Sequence, residues 1–325
     1  VKILVTGGAG YIGSIVSAML VDAGHTVVAI DDLSTSDASG IPAGVEFVEC
    51  HISDVARVLT PDAGFEAVLH FAGLIAAGES VQKPGLYWHV NTGGSLSLLV
   101  AMRAAGVRKI VFSSSAAVYG NPTEVPILET AAVAPTSPYG ENKLAVDFML
   151  SGEVADLGIA ATSLRYFNVV GAYRHGDNVM GERHTPETHL IPLALETAAG
   201  RRDELAIFGT DYPTPDGTTI RDYIHVEDLA RAHLLALDNL TPGQHKIFNL
   251  GNGTGFSIRE VLAVVEKVTG KRLPVVEKDR RAGDPAELVA SSEAAKAELG
   301  WVPAKASLEA MVSDAWEFLT AGGEA

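Results

Sequence analysis

"TGGAGYIGS", residues 6–14, decides how this chain folds. It follows the short apolar run "KILVT" (2–6) and opens a stretch, 11–23, with helical spacing. Gly7, Gly10 and Gly13 stand three apart. Such glycines allow a tight turn, close approach of the backbone to a pyrophosphate, and close helix–sheet packing. The helix that starts there faces phosphates with its free N–H groups. "IDDL" (30–33) closes the next apolar run about 20 residues on, where a dinucleotide-binding turn needs an acid. Asp31 would accept from the adenosine ribose hydroxyls and repel a 2′-phosphate. No arginine stands directly beside it, so NAD is expected rather than NADP.

Working outward, "TVVAI" (26–30), "VEFVE" (45–49), "AVLHF" (67–71), "KIVFS" (109–113) and "AATSLRY" (160–166) are further candidate strands. Segments 86–105 and 138–156 lie between them with helical spacing. Alternating βαβ units predict an α/β fold with a doubly wound parallel Rossmann sheet covered on both faces. Past Gly171 the chain becomes loop-rich, and 172–220 is followed by helical patterns at 226–240, 258–270 and 308–319. A second, smaller α+β domain is expected over 172–325, beside a nucleotide-binding domain over 1–171. "RDYIHVEDLARAHLLAL" (221–237) resembles one more strand–helix unit, so the chain should cross back near 221–240.

Composition sets limits on function. The 325 residues are 47% apolar and 20% charged, as in globular proteins. A net charge of −16 argues against a nucleic-acid surface, which needs a basic face. A small phosphorylated ligand needs only a few local arginines. Cys50 is the single cysteine, so no internal disulfide forms and a cytoplasmic setting is expected. Ile3 to Val21 carries no charge, but its four glycines favour a strand, turn and helix over a membrane span or a signal peptide. His175, His184 and His189 fit no zinc spacing, and no metal is expected.

"SPYGENKLAVD" (137–147) sets Tyr139 and Lys143 four apart at a helix start. The pair is either an ordinary surface neighbourhood or a phenol whose pKa an ammonium holds down. The glycine spacing resembles that of the extended short-chain dehydrogenase/reductase family, and with that family in view Tyr139 and Lys143 match its catalytic pair. "FSSSAAVYG" (112–120) supplies Ser115 as their partner. The resemblance also implies cofactor contacts from the first turn at Gly7, Gly10, Tyr11, Ile12 and Gly13, and from Asp31, Asp32, Leu33 and Ser34. Asp54 would touch the adenine, Phe71, Ala72 and Gly73 of "HFAG" would lie by the phosphates, and Asn91 and Tyr166 complete the set.

"LRYFNVVGA" (164–172), "GRRDELAIFGTDYPTPDGTTIRDYIHVEDLA" (200–230), "FNLGNGTGFS" (248–257) and "RRAGDPAE" (280–287) resemble the nucleotide-sugar 4-epimerase branch of that family. What this implies is NAD-dependent interconversion of UDP-glucose and UDP-galactose at C4 through a 4-ketose. Asn168, Arg221 and Arg281 would hold the UDP phosphates, Asp284 the uridine ribose, and Ala206, Ile207 and Phe208 the uracil. Phe167, His189 and Leu190 would flank the substrate. For Arg221 and Arg281 the competing expectation is a structural ion pair with Asp222 or Asp284. Leu288 stands where relatives carry a gate on the sugar, so N-acetylated hexoses are expected to fit as well. Val169 replaces a common proline, and Leu74 and Ile75 are apolar where many relatives carry a lysine near the cofactor phosphates. A 4,6-dehydratase would need a carboxylate beside Ser115, where Ala116 and Ala117 stand, and a UDP-glucuronate decarboxylase fails for a similar lack. An NAD-sensing module would not need Tyr139, Lys143 and Ser115 together. The resemblance further implies a homodimer through helices 86–105 and 138–156.

Overall fold

A computed structural model describes residues 1–281 and 283–321. Residues 322–325 of the expected second domain, and Ala282 of "RRAGDPAE", lie outside them. Seven strands form the main sheet: β1 (Lys2–Thr6), β2 (Thr26–Asp31), β3 (Glu46–Glu49), β4 (Ala67–His70), β5 (Lys109–Ser115), β6 (Ala160–Tyr166) and β7 (His245–Leu250). Their order is β7-β6-β5-β4-β1-β2-β3, and every neighbouring pair is parallel. The order reverses at β1, so the crevice beyond the carboxyl ends of β1 and β4 is where such a sheet takes ligands.

Alternation along the strands splits the core into two layers. Ile3 and Val5 of β1 join Leu69, Val111, Leu164 and Phe248 under helices α1 (Tyr11–Asp22) and α4 (Val226–Asp238). Leu4, with Val28, Val68 and Ile110, faces the opposite layer under α2 (Gly94–Ala105) and α3 (Pro138–Leu157). Side chains two apart share a face of the sheet, and both faces are covered, which is why the strands are apolar throughout.

Two features depart from the sequence reading. Segment 86–105 is not one regular helix: it runs as a short helix Pro84–Tyr87, a π-helical turn Trp88–Gly93, then α2. The loop-rich stretch 172–220 also contains a small hairpin (Tyr173–His175 with Asn178–Met180), a helix Leu190–Ala198 and a strand Leu205–Phe208. The smaller layers have their own core, in which Leu195, Ile207, Val261, Leu273 and Met311 meet. Strand Ile220–His225 pairs with Asn168–Val170, outside the main sheet, and the chain then returns through α4 to β7. Among the described residues no helix is long and apolar enough to cross a membrane. The uncharged stretch Ile3–Val21 is β1, the glycine turn and α1.

Candidate active site

The turn after β1 has no room for a side chain at Gly7 or Gly13. Gly7 takes φ +71°, and a Cβ there would meet the Ala72 backbone nitrogen at 2.6 Å. A Cβ on Gly13 would stand 2.2 Å from the Gly7 carbonyl oxygen. Gly10 caps α1 with no side-chain hydrogen bond, and its own Cβ would touch only the Gly7 oxygen, at 3.4 Å. No side chain caps the first N–H groups of α1, which leaves them for a ligand such as a pyrophosphate. Asp31 braces the turn, accepting from Ala9 N at 3.1 Å and from Leu33 N at 2.9 Å. Burial pushes its carboxyl up, against the pull of these two N–H groups. Leu33 adopts φ +58° to deliver its amide. Asp32 takes the Ser34 amide and hydroxyl at 3.0 and 2.6 Å. These residues fit a dinucleotide.

Tyr11 donates to the Gly171 carbonyl at 2.6 Å, tying α1 to the segment after β6, and Ile12 packs on the core. Asp54 is exposed on a 3-10 segment after β3. Across the crevice, Asn91 sits in the π-helical turn and holds Leu74 by both backbone groups, accepting at 2.8 Å and donating at 3.0 Å. A Cβ on Gly73 would approach the Asn91 Oδ1 to 3.0 Å. The apolar Leu74 is thus fixed through its backbone. Phe71 meets His233 at a tilt, ring centroids 4.8 Å apart, and His233 also meets the Tyr166 ring at 5.8 Å. Tyr166 donates its hydroxyl to Ser113.

Ser115 ends β5 and its hydroxyl caps the following turn by accepting from Ala117 N at 3.2 Å. Ser137 caps α3, with Pro138 in the first turn, and this places Tyr139 and Lys143 on the face turned to β5. Lys143 is 5% exposed and donates to the Ser113 carbonyl at 2.7 Å. Its ammonium lies 5.0 Å from the centre of the Phe112 ring and 5.8 Å from that of Tyr139. Burial pulls the ammonium down to about 8, opposed by the Asp147 carboxylate one turn on. Asp147 is itself held by Arg165 of β6 at 2.8 Å in a buried pair. The sequence reading has Lys143 holding the Tyr139 pKa down. In the structure burial pushes the phenol up, and the Ser115 hydroxyl is what works against it.

On the far side of the crevice several of the predicted substrate residues contact one another in pairs, with two differences from expectation. Arg221 is ion-paired with Asp284 and donates to the Pro285 carbonyl at 2.8 Å, the competing expectation for it. Asp222 pairs with neither arginine: it accepts from the amides of Asn252, Gly253 and Ala290, and burial raises it to about 6. Ile207 is 1% exposed and points into the core of the smaller layers, so it does not line the cleft; Ala206 and Phe208, on the other face of the strand, remain half-buried. Arg281 is exposed and stacks 4.0 Å over the Phe208 ring. Asn168 donates to the Asp222 carbonyl at 3.1 Å. Phe167 and Leu288 pack with Ala116 and Tyr119, beside Ser115. His189, just ahead of Leu190, meets Glu187 at 2.8 Å, and Glu182 joins them, with ligand atoms within 4.8 Å of one another. Sequence reasoning weighed histidines there and passed over the two acids. It also missed Thr6 and Ser95, polar residues buried inside apolar elements, and did not single out His70 of "HFAG".

The profile of the NAD dependent epimerase/dehydratase family matches residues 3–251, and the chain belongs to that family. A UDP-glucose 4-epimerase of Corynebacterium glutamicum is 50% identical over 323 residues, covering 99% of this chain and 97% of that protein. The crystal structure of UDP-glucose 4-epimerase from Brucella ovis in complex with NAD matches at TM-score 0.92 and 44% identity, covering 98% of both chains. That of the Bifidobacterium longum enzyme in complex with NAD+ and UDP matches at TM-score 0.93 and 37% identity, covering 99% of both.

Proposed function

We propose that this chain is an NAD-dependent UDP-glucose 4-epimerase, interconverting UDP-glucose and UDP-galactose. The observation that carries this reading is the meeting of Tyr139, Lys143 and Ser115 at the carboxyl end of β5, beside a glycine turn shaped for a dinucleotide. Proton exchange alone cannot invert C4, because the hydrogen on an alcohol carbon is not acidic. Bound NAD supplies a hydride acceptor that can also return the hydride. Tyr139, as phenolate, takes the 4-hydroxyl proton, and Ser115 shares the hydrogen bond to the 4-oxygen. An ordinary tyrosine has a pKa of about 10, and burial raises this one. The positive charge of Lys143 and of the oxidised cofactor must therefore outweigh desolvation for the base to form. Lys143, locked on the Ser113 carbonyl, keeps its charge in place. A 4-ketose, formed by loss of that proton and of the C4 hydride to bound NAD, would turn over in the pocket and take the hydride back on its other face. Asn168, Arg221, Arg281 and Asp284 grip the UDP while the hexose rotates.

The same reading assigns 1–171 to cofactor binding and 172–321 to the nucleotide sugar, with α4 and β7 returning to the first region. Leu288 packs near Phe167 and is shorter than a tyrosine, so the reading extends to hexoses with a 2-N-acetyl group. A homodimer through α2 and α3 is supported by Leu96, Val100 and Phe148, apolar yet 55, 60 and 64% exposed. A cytoplasmic setting follows the lone Cys50. The test is direct: the purified protein, given UDP-galactose alone, should form UDP-glucose, and denaturing it should release NAD. Absence of conversion by protein that carries NAD would overturn the assignment.

A further inference from the structure

Thr6, His70, Ser95 and Asn91 form a line of buried hydrogen bonds that no catalytic step uses. His70 is 1% exposed at the end of β4, with Nδ1 2.7 Å from Thr6 Oγ1 and Nε2 2.8 Å from Ser95 Oγ. Ser95 gives its only hydrogen to the Asn91 carbonyl at 2.6 Å. Its oxygen must therefore accept from His70, which places the ring proton on Nε2. Nδ1 is then an acceptor, filled by the Thr6 hydroxyl, and the Thr6 oxygen accepts the Ala72 amide at 3.3 Å. Every hydrogen in the line has one direction.

Both ends of the line finish on the same short segment. Ala72 is held through Thr6, and Leu74 is held through Asn91. Between them the segment lies against the glycine turn, where a Cβ on Gly7 would meet Ala72 N at 2.6 Å. Burial, with Lys143 nearby, keeps the ring neutral by lowering its pKa to about 3. The ring also faces Phe112 at 5.5 Å, the same ring that lies under the Lys143 ammonium. The π-helical turn lets Asn91 send its carbonyl to Ser95 and its side chain to Leu74.

We propose that His70 is a positioning residue: by bridging Thr6 to Ser95 in one tautomer it fixes residues 72–74 against the glycine turn and sets how long NAD stays bound. This rests on the reading that NAD lies between these two loops. His70→Phe keeps the ring and its packing but removes both hydrogen bonds. It should speed NAD release by about tenfold or more, the scale of one or two buried hydrogen bonds. Ser95→Ala, a milder change, should speed release by roughly threefold. His70→Gln, whose amide nitrogen can still reach Ser95, should recover part of the loss. UDP affinity, read by calorimetry, should stay within about twofold throughout, since no residue assigned to UDP shares a hydrogen bond with this line. Nitrogen-15 spectra of the wild-type ring should show the neutral Nε2–H form over roughly pH 6 to 9. Unchanged NAD release in folded His70→Phe and Ser95→Ala, a parallel loss of UDP affinity, or a titrating or Nδ1–H ring would overturn the inference. A wild-type chain that retains no NAD would instead overturn the functional reading beneath it.

Discussion

The two walls of the crevice differ in what holds their charged groups. On the cofactor wall, polar side chains are spent on backbone: Asp31 on Ala9 and Leu33, Asn91 on Leu74, Thr6 on Ala72. Glycines then bring the two loops so close that a methyl group would not fit. On the nucleotide-sugar wall, the two arginines are held by a carboxylate and an aromatic ring as well as by backbone. Arg221 is paired with Asp284, and Arg281 lies exposed over Phe208. A wall fixed by backbone is ready before its ligand arrives, which lowers the cost of binding. One fixed by exchangeable ion pairs must rearrange partners each time. The contrast matches a cofactor that is kept and a substrate that comes and goes.

Catalysis sits between the walls and gives the largest expected effect. Tyr139→Phe should lower turnover by ~10²–10⁴, the usual worth of general-base catalysis, while NAD content and UDP affinity stay unchanged. Loss of either ligand in that variant would mean the tyrosine belongs to a wall. The pH profile sharpens this. Lys143 discharges as pH rises through about 8, so the charge that favours the phenolate is present below that pH and lost above it. The wild type should show a falling limb there, and Lys143→Ala, slow in itself, should have its optimum moved upward. An unshifted profile would count against the electrostatic role.

Gly13→Ala tests the rigid wall. Its methyl would stand 2.2 Å from the Gly7 oxygen, and forcing it in should cost up to about 3 kcal/mol by thermal unfolding, with NAD lost on purification. Retained NAD would show that the turn yields. Arg281→Ala tests the adaptable wall: UDP affinity should fall by roughly 1.5–3 kcal/mol in calorimetry, with NAD content intact. Unchanged affinity would make the stacked guanidinium purely structural. The smallest effect is one of selectivity. Leu288→Tyr should suppress epimerisation of UDP-N-acetylglucosamine by about tenfold while sparing UDP-galactose. Equal loss of both, or a wild type that rejects the acetylated sugar, would remove Leu288 from the gate.

Part of the cofactor wall is legible in the sequence, because those constraints are local. A turn and a strand end each leave a mark within a few residues, as at Gly7 and Asp31. The other wall depends on pairs distant in sequence, and there residue type left two outcomes open. Arg221 finds Asp284 63 positions away. Ile207 was assigned to the cleft with its neighbours, although strand alternation turns it inward. β7 escaped notice because "HKIFNL" starts with polar residues and is fully buried only over its last half. The π-helical turn at Asn91 breaks a 3.6-residue period without any proline or glycine inside its first half, so periodicity ran straight through it. Thr6 and Ser95 are ordinary polar residues until the fold shows where their hydrogens go.

The order of the strands carries one consequence for how the chain can be divided. The polypeptide leaves the main sheet after Tyr166, comes back with α4 at Val226, and leaves again after Leu250. β7 closes the sheet by laying Phe248 and Leu250 beside Leu164 and Tyr166. A fragment ending at 171 would bare that edge and the face that α4 covers, an invitation to stick to other chains. The piece that can be transplanted, halved or expressed is therefore the whole polypeptide, and the crevice exists only as a joint property of its early and late segments.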